Sequence, residues 1–103
     1  MKSDTYQCPF EYALSIVGGK WRGLAIFYLG RNGVMRYSEL RRTLEGITQK
    51  MLTQTLRFLE AEGIIIRTVY PVVPPKVEYQ LTEKGIKLLP ILDALQEWGD
   101  GYV

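Results

Sequence analysis

Hydrophobic and polar positions follow a helical period in the N-terminal third of the chain. Apolar side chains at i, i+3, i+4 and i+7 predict a first helix that begins at Pro9 and ends at Gly18-Gly19. Its apolar face consists of Phe10, Ala13, Leu14 and Val17. The same spacing predicts a second helix over residues 20–29, which Gly30 and Asn32-Gly33 should end.

Two further helices are predicted in the middle of the chain. After a very short strand over residues 35–37, Ser38 is a good N-cap for a short helix. Thr48 should cap the next helix, and Gly63 suits the left-handed position of a Schellman motif at its end. The sequence therefore predicts two consecutive helices joined by a short turn.

The C-terminal part contains two strands, a proline-rich loop and a helix. Residues 64–70 are rich in β-branched side chains and residues 76–81 alternate, which predicts a hairpin. The connection over 71–75 contains three prolines and should be a stiff loop. Thr82 should cap a long final helix that kinks at Pro90. The elements together predict an α+β fold that is mainly helical.

The two middle helices and the hairpin stand in the order of a helix-turn-helix that carries a wing. The turn lies around Gly46-Ile47. The second helix should bury Leu52, Leu56 and Leu59. Its opposite face is a polar stripe, without acidic residues, of Lys50, Thr53, Gln54 and Arg57. Such side chains can read base edges in the major groove, because Arg and Lys donate to guanine and Gln pairs with adenine.

Residues around the polar stripe favour contacts with a DNA backbone. Ser38 at a helix N-terminus offers amides to a phosphate, Arg36 and Arg41 lie nearby, and Lys76 stands at the foot of the loop. The predicted DNA-binding residues are Arg36, Ser38, Arg41, Gln49, Lys50, Thr53, Gln54, Arg57 and Lys76. A solvated helix face is the alternative for the stripe, and a protein-interaction module is the alternative for the whole fold.

The composition narrows the class of protein. With 103 residues and 47% hydrophobic content, we expect one domain over residues 1–103. The first seven residues lack the apolar core of a signal peptide, and no stretch reaches the roughly 18 apolar residues of a membrane span, so we expect a cytoplasmic protein. With one cysteine and no histidine, we expect no internal disulfide, metal site or cofactor. An enzyme is disfavoured because the commonest general base is absent.

Charge is distributed unevenly, although the net charge is only +2. Residues 31–76 carry eight basic and four acidic side chains, whereas residues 77–103 carry two basic and five acidic ones. The basic part coincides with the predicted helix-turn-helix and wing, which agrees with duplex DNA as the partner.

A long ordered series of short motifs runs through nearly the whole chain. It includes Cys8-Pro9, Gly18-Gly19-Lys20-Trp21, Arg36-Tyr37-Ser38-Glu39-Leu40-Arg41-Arg42, Gly46-Ile47-Thr48, Leu52-Thr53, Leu56-Arg57, Pro74-Pro75, Val77-Glu78-Tyr79 and Trp98-Gly99. In these motifs the chain resembles the HxlR family, a MarR-like branch of winged helix transcription regulators. The resemblance implies a homodimer that binds a palindromic operator, and repression is the expected effect.

The resemblance also implies that the N-terminal and C-terminal helices form the dimer interface. The apolar surface of these helices agrees, because so large a patch must be covered. The predicted interface residues are Phe10, Leu14, Leu88, Leu92, Leu95, Trp98 and Tyr102. Complete burial of these residues in the core is the alternative.

Cys8 is a candidate sensor of a redox signal. It precedes a helix that begins at Pro9 and should occupy the N-cap, where amides and the helix dipole favour a thiolate. Several members of the family that the chain resembles sense electrophiles or oxidants through a cysteine near this position. A packing role is the alternative. Aromatic residues that could line a small-molecule pocket between subunits, or simply fill the core, are Tyr12, Trp21, Phe27, Tyr28 and Trp98.

Overall fold

The computed structural model describes residues 8–103. Within this range it contains six helices and three strands. Their bounds are α1 Pro9–Val17, α2 Trp21–Asn32, β1 Met35–Arg36, α3 Tyr37–Thr43, α4 Gln49–Ala61, β2 Ile65–Tyr70, β3 Lys76–Leu81, α5 Glu83–Ile86 and α6 Leu89–Asp100. The expectation that no signal peptide is present concerns residues 1–7, which lie outside the described residues.

The three strands form one antiparallel sheet with β3 in the centre. β2 and β3 pair along their full length, from Ile65 opposite Leu81 to Tyr70 opposite Lys76. The short strand β1 pairs with the other edge of β3. The predicted hairpin and the predicted short strand before α3 are therefore confirmed.

One hydrophobic core joins the helices to the sheet. Its largest fully buried side chains are Ile26, Leu29, Leu40, Leu44, Leu52, Leu59, Ile64 and Ile65. They come from α2, from α3 and the residue after it, from α4, and from β2 and the residue before it. A shared core of this kind fixes α4 against α3 and against the hairpin. The mainly helical α+β fold with a hairpin wing is confirmed.

Both ends of α4 form as the sequence predicts. At the N-terminus, the Thr48 hydroxyl oxygen accepts a hydrogen bond of 3.1 Å from the backbone N–H of Met51. At the C-terminus, Gly63 has a φ of 74°. The N–H of Ile64 then donates to the carbonyl of Leu59 at 2.9 Å, which completes the predicted Schellman motif.

The start of α3 differs from the prediction. The helix begins at Tyr37, and its N-cap is Arg36 and not Ser38. Glu39 lies three residues after Arg36, and its carboxylate accepts a hydrogen bond of 2.7 Å from the N–H of Arg36. This contact stabilises a helix start two residues earlier than predicted. Ser38 consequently lies inside the first turn, where it is exposed.

The second helix is longer than predicted, because α2 continues through Gly30 to Asn32. A side chain at position 30 would overlap the side chain of Leu89 at the start of α6. Gly30 therefore allows α2 and α6 to pack closely, and it does not end α2. The helix ends at Gly33, which has a φ of 80°.

The C-terminal segment is two helices and not one kinked helix. Thr82 caps α5 as predicted, because its hydroxyl oxygen accepts from the N–H of Gly85 at 3.1 Å. Pro90 lies in the first turn of α6, where a missing N–H leaves no helical hydrogen bond unmade. The proline therefore begins a new helix after a break at residues 87–88.

None of the helices within residues 8–103 combines the length and the apolar character that a membrane span requires.

Candidate nucleic-acid interface

The two sides of α4 differ sharply in burial. Leu52, Leu56 and Leu59 lie in the core with at most 2% of their surface exposed. On the opposite side the polar stripe of Lys50, Thr53, Gln54 and Arg57 faces outward, with Thr53 partly buried and the other three exposed. The first turn of α4 contains no acidic residue. The stripe is therefore polar and basic, which suits the major groove, and the exposed Glu60 follows it at the C-terminal end of α4.

Tyr37, the first residue of α3, holds the start of α4. Its hydroxyl donates to the backbone carbonyl of Gln49 at 3.1 Å and lies 3.1 Å from the hydroxyl oxygen of Thr53. Gln49 itself is exposed at the first position of α4. Sequence reasoning missed Tyr37, because nothing in the spacing of the residues places its hydroxyl on the next helix.

The support helix α3 presents its charged residues to solvent. Arg36, Ser38 and Arg41 are exposed, whereas Leu40 is completely buried. The sequence placed these three residues near the polar stripe, and the structure puts them on the helix that precedes α4 and on its N-cap.

A groove of about 310 Å³ separates α4 from the sheet. Its charged lining consists of Arg57 and Glu60 from α4 and Arg67 from β2. Tyr37 and Thr53 line the same groove. Arg67 is a second residue that sequence reasoning did not place at the site, although it belongs to the basic middle of the chain.

Lys76 lies at the foot of the wing as predicted, but it is already paired. Its Nζ atom lies 3.5 Å from a carboxylate oxygen of Glu78 and 4.8 Å from the centre of the Tyr70 ring. A hydrogen bond to the Glu78 carboxylate, followed by the charge of that carboxylate, raises the pKa of Tyr70 above its ordinary value of 10.0. A DNA phosphate would therefore compete with Glu78 for the Lys76 ammonium group.

Cys8 occupies the N-cap of α1, as predicted, and its side chain is exposed. Its backbone carbonyl accepts from the N–H groups of Glu11 and Tyr12 at 3.1 and 3.3 Å. The backbone of Cys8 therefore forms the first turn of α1, whereas its thiol makes no capping hydrogen bond to the helix amides and is exposed to solvent.

The outer faces of α1 and α6 carry large exposed apolar side chains. Those predicted for an interface and found exposed are Phe10, Leu14, Leu95, Trp98 and Tyr102, with 49–75% of their surface accessible. The rings of Trp98 and Tyr102 lie 4.8 Å apart. Leu92 instead lies in the core with 7% exposed, and Leu88 is partly buried against the core. The inward side of α6 therefore already packs on its own chain, and Leu92 has little surface left for a partner.

Most of the aromatic residues considered for a ligand pocket are packing residues. Tyr12, Trp21, Phe27 and Tyr28 are partly buried against the core, whereas Trp98 is 69% exposed. In the part of the chain that the structure describes, no three His, Cys, Asp or Glu side chains come together in a group that could hold a metal ion.

Known proteins share both the sequence and the arrangement. A family model described as HxlR-like helix-turn-helix matches residues 16–103. An uncharacterised HTH-type transcriptional regulator of Methanothermobacter thermautotrophicus is 54% identical over 102 residues, which cover 99% of this chain and 77% of that protein. A protein of Porphyromonas gingivalis W83, described as a transcriptional regulator of the MarR family, has a TM-score of 0.89 and 42% identity over 100% of both chains. The redox regulator HypR in its oxidised form has a TM-score of 0.85 and 51% identity, covering 93% of this chain and 98% of that chain.

Proposed function

The chain belongs to the HxlR-like helix-turn-helix family, and we propose on this basis that it is a transcriptional regulator that binds duplex DNA. In this proposal α4 is the recognition helix and enters the major groove. The observation that carries the proposal is the polar stripe on α4, which is free of acidic residues and backed by completely packed leucines.

Each part of the interface has a distinct role in this proposal. Lys50, Gln54 and Thr53 contact base edges, and Gln49 supports them from the first turn of α4. Residues that contact phosphates are Arg36, Ser38, Arg41, Arg57 and Lys76, with Arg67 added from the groove between α4 and the sheet. Phosphate contacts position the protein, whereas base contacts determine which sequence it prefers.

We further propose a homodimer that covers its apolar faces on α1 and α6 and binds a palindromic operator. The support is the exposed apolar set of Phe10, Leu14, Leu95, Trp98 and Tyr102. A two-fold dimer presents two copies of α4 to successive major grooves, roughly 34 Å apart. When the operator overlaps a promoter, such a dimer acts as a repressor.

Selection of bound sequences from a random DNA pool tests sequence-specific recognition. The wild-type protein should enrich a palindromic site. Lys50→Ala and Gln54→Ala should each change the preferred base at one position per half-site, with a loss of roughly 1–3 kcal/mol against the selected site. Lys87→Ala is the matched control, because it removes one positive charge that lies outside both α4 and the wing. Equal losses for every DNA sequence in both α4 variants would contradict the assignment of α4 as the reading helix.

Salt dependence separates DNA binding from a protein-interaction role of the same fold. Several phosphate contacts predict that affinity for the selected site falls steeply, by orders of magnitude, between roughly 50 and 200 mM salt. A protein-interaction module would bind no selected duplex at any salt concentration.

We also propose that Cys8 responds to oxidants. The thiol is exposed at the N-cap of α1, and the structurally similar HypR is named a redox regulator. Two Cys8 thiols, one from each subunit, can give two electrons and two protons to an oxidant such as diamide. The diamide is reduced to the hydrazine, and one intersubunit S–S bond forms.

Diamide treatment of the DNA complex tests this role. Wild-type protein should leave its operator and run as a crosslinked dimer on non-reducing gels, and a thiol reductant should reverse both effects. Cys8→Ser should stay bound, since it is the sole cysteine of the chain. Release of the Ser variant by diamide to the same extent would refute the role of Cys8.

A further inference from the structure

A single hydroxyl group connects the support helix to the polar stripe of the recognition helix. The Tyr37 hydroxyl oxygen lies 3.1 Å from the carbonyl oxygen of Gln49 and 3.1 Å from the hydroxyl oxygen of Thr53. Tyr37 begins α3, Gln49 begins α4, and Thr53 lies one helical turn further along α4. Tyr37 and Thr53 are partly buried, and both line the groove between α4 and the sheet.

The chemistry of the three groups determines the direction of each hydrogen bond. A carbonyl oxygen can only accept, so the one proton of Tyr37 goes to Gln49. The Tyr37 oxygen is then free to accept, and its neighbour at 3.1 Å is the Thr53 hydroxyl. The proton of Thr53 therefore points to Tyr37.

Thr53 has no better acceptor within its own helix. A threonine in a helix often donates to the carbonyl four residues earlier, which is Gln49 here. That carbonyl already accepts the helical N–H of Thr53 and the hydroxyl of Tyr37, which occupy its two lone pairs. The Thr53 hydroxyl therefore donates to the Tyr37 oxygen, and the Tyr37 hydroxyl donates to the Gln49 carbonyl.

We propose that Tyr37 is a specificity-determining positioning residue, because it holds Thr53 as a hydrogen-bond acceptor toward DNA. This inference rests on the proposed DNA-binding function and adds the class of base that Thr53 recognises. With its proton engaged, the Thr53 oxygen can accept from the amino group of adenine or cytosine. It cannot donate to the carbonyl oxygen of guanine or thymine at the same place.

Base preference at a single operator position tests the proposal. The full chain is first used to select its site from a random DNA pool. Thr53→Val, which removes the hydroxyl at nearly constant volume, then identifies the position where preference relaxes. At this position wild-type protein should prefer an amino-bearing base over a carbonyl-bearing one by roughly 3- to 10-fold, the contribution of one hydrogen bond. Tyr37→Phe should reduce this ratio to roughly twofold or less, mainly by improving binding to carbonyl-bearing bases. The Thr53 hydroxyl then has the vacated lone pair of the Gln49 carbonyl as its resting acceptor, and it can exchange that acceptor for a base carbonyl by rotating about one bond.

Three further variants make the result specific. Tyr37→Phe in the Thr53→Val background should change nothing at this position, whereas Thr53→Ser should retain the wild-type preference because it keeps the hydroxyl. Tyr28→Phe removes a hydroxyl from a tyrosine packed on the core and is the matched control. Thermal unfolding of each variant shows that it is folded.

Two results would contradict the proposed role of Tyr37. A Tyr37→Phe variant that keeps the wild-type preference, or that loses affinity equally for all four bases, overturns the proposal and leaves Tyr37 a brace for α4. Thr53→Val without effect on any position also overturns it. In each case wild-type protein still selects a DNA site, whereas failure of the proposed function would show as no selected site at all.

Discussion

At the scale of single residues, contacts within the chain modify what a charged side chain can offer to DNA. Lys50 and Arg57 are exposed on α4, whereas Lys76 is paired with Glu78 at 3.5 Å. The sequence analysis treated these basic residues alike, although Lys76 and Glu78 belong to the same strand. The acidic partner two residues away lies on the same face of β3, as side chains at i and i+2 do.

Glu78→Gln should strengthen DNA binding. The change releases Lys76 and removes a negative charge beside the phosphates, so we expect affinity to rise by roughly 2- to 5-fold at low salt, the range of an exposed ion pair. Fluorescence anisotropy with the selected operator measures the change. Glu97→Gln on α6 removes the same charge away from the wing and should have little effect. Unchanged or weaker binding in Glu78→Gln would show that Lys76 does not contact the DNA backbone.

The titration of Tyr70 should report the same carboxylate. Glu78 raises the pKa of Tyr70, because the tyrosinate would face a negative charge and lose the hydrogen bond that it donates. Glu78→Gln should therefore lower the pKa of Tyr70 toward 10.0. Alkaline absorbance titration of the variant, compared with wild type and with Tyr70→Phe, measures the shift. A tyrosine that titrates identically in both backgrounds would exclude the contact.

At the scale of elements, local sequence specifies the ends of α4 and the hairpin, whereas packing specifies α2 and the C-terminal helices. Thr48 and Gly63 act on the backbone within a few residues of themselves. Gly30 acts through Leu89, which belongs to a distant element, so its effect on the helix could not be determined from the local sequence. A glycine can end its own helix, or it can leave room for a second helix to pack closely. The position of Leu89 shows that Gly30 does the latter.

Gly63→Ala should destabilise the protein by roughly 1–2 kcal/mol, because alanine must adopt a left-handed φ of 74°. Urea unfolding followed by circular dichroism measures the loss. Gly99→Ala is the matched control, since Gly99 lies inside α6 with no atom within 4 Å of an added Cβ. That variant should be neutral or slightly more stable. Equal stability of both variants would contradict the Schellman assignment.

Gly30→Ala should also destabilise the chain, by roughly 1 kcal/mol, because its methyl group overlaps the partly buried Leu89 side chain and the displacement of that side chain outweighs the helix propensity that alanine gains. The double variant Gly30→Ala with Leu89→Ala tests the cause. If the contact with Leu89 is responsible, the second substitution costs less in the Gly30→Ala background than in wild type. Additive losses in thermal unfolding would place the strain elsewhere.

At the scale of the whole molecule, the exposed apolar surface lies on the two terminal helices and is suited to contact with a second copy of the chain. The inward side of α6 contributes Leu92 to the core, whereas Leu95, Trp98 and Tyr102 on α6 and beyond it are more than half exposed. Phe10 on α1 is 69% exposed as well. Exposed aromatic and aliphatic side chains on the two terminal helices are typical of an interface.

Trp98→Glu should convert the proposed dimer to a monomer, because it places a charge within the apolar surface. Sedimentation velocity at micromolar concentration measures the state, and binding to a full palindrome should weaken far more than binding to a half-site. Val73→Glu, a similar change at a loop residue with 99% of its surface exposed, should leave the dimer intact. A wild-type protein that sediments as a monomer would contradict the dimer directly.

Much of the candidate site could be predicted because its features are local and periodic. The polar stripe and the three leucines behind it follow from a 3.6-residue period, which is fixed by the helix itself. The caps Thr48 and Thr82 are likewise local. The positions of Tyr37 and Arg67 at the site could not be predicted, because they depend on how separate elements meet.

The sequence by itself determined the order of helices and strands, the burial pattern of α4, the wing and the family motifs. These depend on backbone periodicity, capping and turn chemistry, which act over a few residues. The tertiary structure alone decided that Gly30 leaves room for Leu89 and that Leu92 packs in the core. It also decided that the Tyr37 hydroxyl contacts Gln49 and Thr53. Contacts between elements depend on angles and distances that no local spacing encodes, which is why the direction of the Thr53 hydroxyl became visible only in the folded chain.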